Sequence, residues 1–116
     1  MSTAIPEFYF GQDARIDFSC VDETGAPLDL TGGKVEVVLE RTGITPFFLK
    51  VDTDIPTNVE WNERDKGTGI IIVPLAEENL PIGMIKLMLR SITVSGRSDI
   101  QYLSWAKVIR IPETLS

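Results

Sequence analysis

The sequence predicts an all-β fold, a small sandwich of two packed sheets, on three observations. Ala14, Ile16, Phe18 and Cys20 alternate with Arg15, Asp17 and Ser19, the period of a strand with one buried face. Val35, Val37 and Leu39 alternate in the same way with Lys34, Glu36 and Glu40. Between these runs lies Gly25-Ala26-Pro27-Leu28-Asp29-Leu30-Thr31-Gly32-Gly33, a turn followed by a polar stop. Two half-buried strands require a facing sheet, and the rest of the chain has strands to build one.

The elements follow in order. Residues 1–10 form an N-terminal arm, apolar from Ile5 to Phe10, and 11–116 form a single domain, a size that one core can serve. Strands are expected at 14–21, 34–41, 47–51, 69–75, 83–94 and 99–111, separated by Gly, Pro, Asn or Asp. The polar stretch 52–66 reads as a long connection carrying a short strand near Val59–Trp61. Leu75-Ala76-Glu77-Glu78-Asn79-Leu80, before Pro81, is at most one helical turn. Ile85, Leu87 and Leu89 alternate with Lys86 and Arg90, and the chain turns at Ser95-Gly96-Arg97-Ser98 into a long hairpin. On the return strand, Leu103, Trp105, Ile109 and Ile111 share one parity with Lys107, and Tyr102, Ala106 and Val108 share the other. Either a bulge resets the register or both faces are covered.

Composition narrows the function. The formal charge is −6, from 17 acidic and 11 basic residues, which argues against nucleic acid or an anionic membrane surface as partner. No segment approaches the ~20 apolar residues of a spanning helix. The N-terminus lacks a basic region followed by an unbroken apolar one, so synthesis in a cytoplasm without a secretory signal is expected. The single cysteine, Cys20, lies on an apolar strand face and reads as a small core side chain.

There is no histidine, which removes the usual general base and the commonest metal ligand. The acids Asp52, Asp54, Glu60, Glu63 and Asp65 could host carboxylate catalysis, but a solvated acidic loop is the simpler reading. Asp52-Thr53-Asp54 lacks the remaining ligands of a calcium loop, and Gly67-Thr68-Gly69 lacks the Lys-Ser/Thr pair of a phosphate loop. No catalytic, cofactor-binding or metal-binding residue is therefore assigned, and no enzyme is expected. Trp61 and Tyr102 could form an aromatic platform for sugar rings, whereas Trp105 reads as core or subunit interface.

An apolar surplus is the stronger clue. Phe8, Tyr9 and Phe10 stand together, Phe47, Phe48 and Leu49 are consecutive, and Met84 and Met88 oppose the parity of Ile85, Leu87 and Leu89. Strand neighbours point to opposite faces, so these eight residues form the candidate assembly interface unless sheet and loop together cover both faces.

The run Gly11-Gln12-Asp13-Ala14-Arg15-Ile16-Asp17-Phe18, then Asp22-Glu23-Thr24-Gly25-Ala26-Pro27-Leu28-Asp29-Leu30-Thr31-Gly32 and the Val35/Val37/Leu39 strand, resembles the opening of immunoglobulin-like β-sandwich domains of tailed-phage and prophage structural proteins, including N-terminal domains of baseplate upper proteins. The later Gly69 strand, the Leu75–Gly83 stretch with its leucine-proline-x-glycine corner, Gly96 and a closing strand are similar too. Residues 42–66 depart from that pattern. The resemblance implies an immunoglobulin-like antiparallel sandwich of about seven strands. It also implies a non-enzymatic virion protein of the tail, baseplate or capsid surface, needing no cofactor. Made in the bacterial host cytoplasm, it would join copies of itself as a homo-oligomer, with other virion proteins as partners. The chain ends soon after its last expected strand, so an adaptor or decoration unit without a fibre extension is expected. A carbohydrate-binding module for host surface glycans is the alternative, and a carboxylate hydrolase the remote third.

Overall fold

A computed structural model describes residues 7–9, 11–43, 46–75 and 81–109. Among these, eight strands form two sheets: β1 (Glu7–Tyr9), β2 (Ala14–Ser19), β3 (Lys34–Arg41), β4 (Phe47–Asp52), β5 (Val59–Glu63), β6 (Thr68–Val73), β7 (Gly83–Ile92) and β8 (Ser98–Ile109). The larger sheet runs β1-β8-β7-β3-β4 and the smaller β2-β6-β5. This is the immunoglobulin strand arrangement, with the third, fourth, seventh and eighth strands facing the second, fifth and sixth. Two single 3₁₀ turns, Pro56–Asn58 and Arg64–Lys66, flank β5.

The fold differs from the expected one at the N-terminus. Glu7–Tyr9 pairs in parallel with Lys107–Ile109 of β8, so part of the expected arm is an edge strand and the sandwich is not wholly antiparallel. Phe8 is turned into the core, while Phe10 lies outside the described residues, as do the expected helical positions 76–80.

The core lies between the sheets. Val35, Val37 and Leu39 of β3 and Ile85, Leu87 and Leu89 of β7 meet Phe18, Ile71 and Val73 of the smaller sheet, all buried. Leu28 and Leu30, in the turn segment before β3, are core residues too. The Leu28 amide donates to the Cys20 carbonyl (3.0 Å) and the Leu30 amide to the Arg64 carbonyl (2.9 Å). The Asp22 carboxylate accepts from the Thr24 amide (2.8 Å) and the Ala26 amide (3.1 Å), fixing the preceding bend.

Gly67 and Gly69 are among the glycines required by packing. Gly67, at φ +71°, follows the Arg64–Lys66 turn, and a Cβ there would stand 2.8 Å from the Leu28 carbonyl oxygen. Gly69 lies between Phe18 and Trp61 across the smaller sheet. Its missing side chain lets those rings meet edge to face, with centroids 5.5 Å apart at 85°.

In β8 a bulge does reset the register. Leu89 pairs with Tyr102 and Arg90 with Ile100, leaving Gln101 without a strand partner. Its side chain takes over the role of a short strand. Nε2 donates to the Val21 carbonyl (2.8 Å) and to Ser91 Oγ (3.0 Å), while Oε1 accepts from the Val21 amide (3.0 Å). Gln101 thus ties the larger sheet to the chain leaving β2. Beyond it, β8 alternates regularly, with Ala106 and Val108 buried and Leu103 and Trp105 turned outward.

Candidate interaction surface

Strand alternation divides the expected interface residues between two faces. Phe8 is core, and Phe47 and Leu49 are half-buried against it. Phe48 is 64% exposed on the opposite side of β4. Met84, Met88 and Tyr9 also point away from the core, with Met84 and Tyr9 exposed and Met88 half-buried. Among the described residues of the expected set, those that face outward all lie on one surface, the outer face of the larger sheet.

Register places further residues beside them. Trp105, Lys86, Glu40 and Phe48 form one row across β8, β7, β3 and β4. Leu103, Met88, Val38 and Lys50 form the next, and Ile100, Arg90, Glu36 and Asp52 a third. Ile100 (59%), Leu103 (55%) and Trp105 (54%) are all strongly exposed. Ile100, Leu103 and Trp105 line β8 on this face, and Phe48 stands beyond Lys86 and Glu40 on β4. Exposed apolar side chains concentrated on one face are informative where scattered ones are not. Ile100 and Leu103 had no place in the expected set; Leu103 shared the parity of Trp105 and Lys107, whereas no sequence signal marked Ile100, because the bulge decides which way it points.

The centre of this face is ordered by a buried charge. Glu36 is only 1% exposed although it points away from the core, because Arg90 and Lys50 close over it from the flanking strands. Arg90 donates to Glu36 Oε1 through both Nε (3.1 Å) and Nη2, and Lys50 Nζ lies 3.3 Å from Oε2. Burial pushes the Glu36 carboxyl up, but hydrogen bonds from Arg90 and Lys50, together with their charges, outweigh it and hold it below the ordinary carboxylate range. Lys86 and Glu40, directly opposite each other two rows away, make no ion pair with any described residue. Beside them a depression of about 310 Å³ is lined by Glu40, Arg41, Thr42, Met84, Lys86 and Trp105.

Trp61 and Tyr102 do not make one platform. They belong to different sheets, both turned toward the core and half-buried against it. The Arg64 guanidinium lies 4.5 Å over the Trp61 ring, and Phe18 meets that ring at 85°. Arg64 is itself fixed, donating from Nε to the Leu30 carbonyl (3.0 Å) and from Nη2 to the Gly33 carbonyl (2.7 Å).

The acids of the 52–65 region are dispersed. Asp52 and Asp54 lie 3.6 and 3.3 Å from Lys34 Nζ, Glu60 lies 2.7 Å from Arg15, and Glu63 lies 3.3 Å from Lys66. Among the described residues, no cluster of three His, Cys, Asp or Glu side chains could hold a metal ion, and no helix is long and apolar enough to cross a membrane. Comparison with protein-family models, curated proteins and solved structures gave no match.

Proposed function

We propose that this chain is a non-enzymatic structural component of a phage particle, an adaptor or decoration unit of the tail, baseplate or capsid surface. Made in the bacterial host cytoplasm, it is built into the virion by docking the outer face of its larger sheet against other virion proteins. The observation that carries the docking is the band formed by Phe48, Met84, Ile100, Leu103 and Trp105, apolar and exposed on a sheet whose inner face is already filled. Such a band costs solubility unless a partner covers it. The phage setting rests on the turn-and-strand pattern of residues 11–111.

Mass spectrometry of gradient-purified particles from a phage or prophage encoding the chain tests this reading. The chain is expected in fixed proportion to known particle components. Phe48→Asp, at an exposed edge-strand position, is expected to leave circular dichroism unchanged and to remove the chain from particles. Particles that lack the wild-type chain would overturn the assignment.

A further inference from the structure

The three rows of the outer face carry a symmetry that bears on what covers it. Consider a two-fold axis lying in the contact plane, parallel to the strands and midway between β3 and β7. It lays each row on its own reverse in a second copy. Trp105-Lys86-Glu40-Phe48 then meets Phe48-Glu40-Lys86-Trp105, so ring meets ring, lysine meets glutamate, and each contact occurs twice. In the next row Met88 meets Val38 and Leu103 meets Lys50; in the third Ile100 meets Asp52, and Arg90 lies over the Glu36 of the other copy, which its own Arg90 and Lys50 already close. A two-fold running across the strands through the middle row does the opposite. It sets Lys86 against Arg90, like charge on like, while Glu40 comes over the already paired Glu36.

The reciprocal Lys86–Glu40 pairing, with Phe48 facing Trp105, therefore points to a second copy as occupant and favours this axis over the crossed one. We propose that the outer face of the larger sheet closes on a second copy of this chain about a two-fold axis parallel to the strands between β3 and β7. Lys86 and Glu40, without ion-pair partners among the described residues, find them in the other copy. Facing sheets twist apart toward their flanks, and the flanking positions of this row hold its largest apolar side chains, Phe48 and Trp105. Phe48 of each copy lies over Trp105 of the other, at the rim of the 310 Å³ depression. This inference rests on the docking reading above and names the partner at that same surface.

The test uses the full chain and charge reversal. Lys86→Glu alone and Glu40→Lys alone each create two like-charge contacts per dimer, and each is expected to dimerise at least about 100-fold more weakly than the wild type. Mixed in equal amounts, the two variants regain complementarity at both contacts and are expected to form a heterodimer of near wild-type affinity, read by light scattering and native mass spectrometry. A second measurement does not depend on the variants folding. Zero-length carbodiimide coupling of a mixture of heavy-isotope and ordinary wild-type chain is expected to give a Lys86–Glu40 crosslink joining heavy to light peptide. A wild-type chain that stays monomeric at high micromolar concentration overturns the dimer while leaving docking to another virion protein standing. A dimer without heteropairing or without the mixed-isotope crosslink overturns the axis. A dimer with both, from a chain missing from purified particles, upholds the inference and overturns the virion reading instead.

Discussion

Replacing Glu36 by glutamine removes the one charge that organises the outer face. Stripping one partner from a fully buried ion pair costs about 3–5 kcal/mol, because the other charge is stranded away from water. Here the stranded cations are not fully buried: the Arg90 and Lys50 side chains are 33% and 47% exposed and can be re-solvated in part. The expected loss therefore falls below that range, at about 2 kcal/mol, or roughly 8 °C in Tm for a domain of this size. Its pH dependence has a fixed sign. The folded Glu36 carboxyl sits below its ordinary range, so between the folded and unfolded values the unfolded chain binds more protons. The contribution of Glu36 is thus complete above the ordinary glutamate value of about 4.3 and is lost as pH falls through the folded value. Urea unfolding followed by tryptophan fluorescence should show the gap between wild type and Glu36→Gln at neutral pH and its narrowing in acid. A gap below about 0.5 kcal/mol at neutral pH, within ordinary surface-mutation scatter, would refute the role given to this carboxylate.

Three further outcomes follow from the packing. Gly69→Ala puts a Cβ 2.8 Å from the Glu60 carbonyl oxygen and 2.9 Å from the Phe18 ring, and is expected to cost about 1–3 kcal/mol in denaturant unfolding. Gln101→Ala removes all three bonds tying β8 to Val21 and Ser91; a loss of about 1–2 kcal/mol is expected, with faster hydrogen exchange at the Val21 amide. The Cys20 thiol, fully buried and pushed up to about 11 by desolvation, should react with an aromatic disulfide reagent at mildly alkaline pH only as fast as the domain opens.

Much of the fold was legible because alternation survives wherever one face meets the core and the other meets water. In Val35–Leu39 the outward Glu36 and Val38 are buried as well, but the strand around Ile85–Leu89 shows the alternation directly. Glu7–Tyr9 did not, because a three-residue strand with one core side chain has no period to read. Phe47-Phe48-Leu49 read as an apolar excess although it is simple alternation on an edge strand. Phe47 and Leu49 pack inward, and only Phe48 is left outside. The bulge at Gln101 was one of two accounts of the broken pattern in β8; the other, that both faces are covered, is not what the domain shows on its own, since Leu103 and Trp105 stand exposed on the outer face. Glu36 looked like a solvated position between two valines. Its burial depends on Arg90 and Lys50, which are distant in sequence and reach it only through strand pairing. Arg64 lay inside a stretch read as an acidic loop, and its link to Trp61, Leu30 and Gly33 exists only in three dimensions.

Oxidative footprinting of the chain, free at a concentration low enough to keep it monomeric and inside purified particles, reads the outer face of the larger sheet side chain by side chain. Met84, Leu103 and Trp105 should lose most of their reactivity on incorporation, while exposed Ile55, on the connection between β4 and β5, keeps its own. Equal labelling of Met84, Leu103 and Trp105 in the two states would show that this surface stays open to water in the particle and would contradict the account.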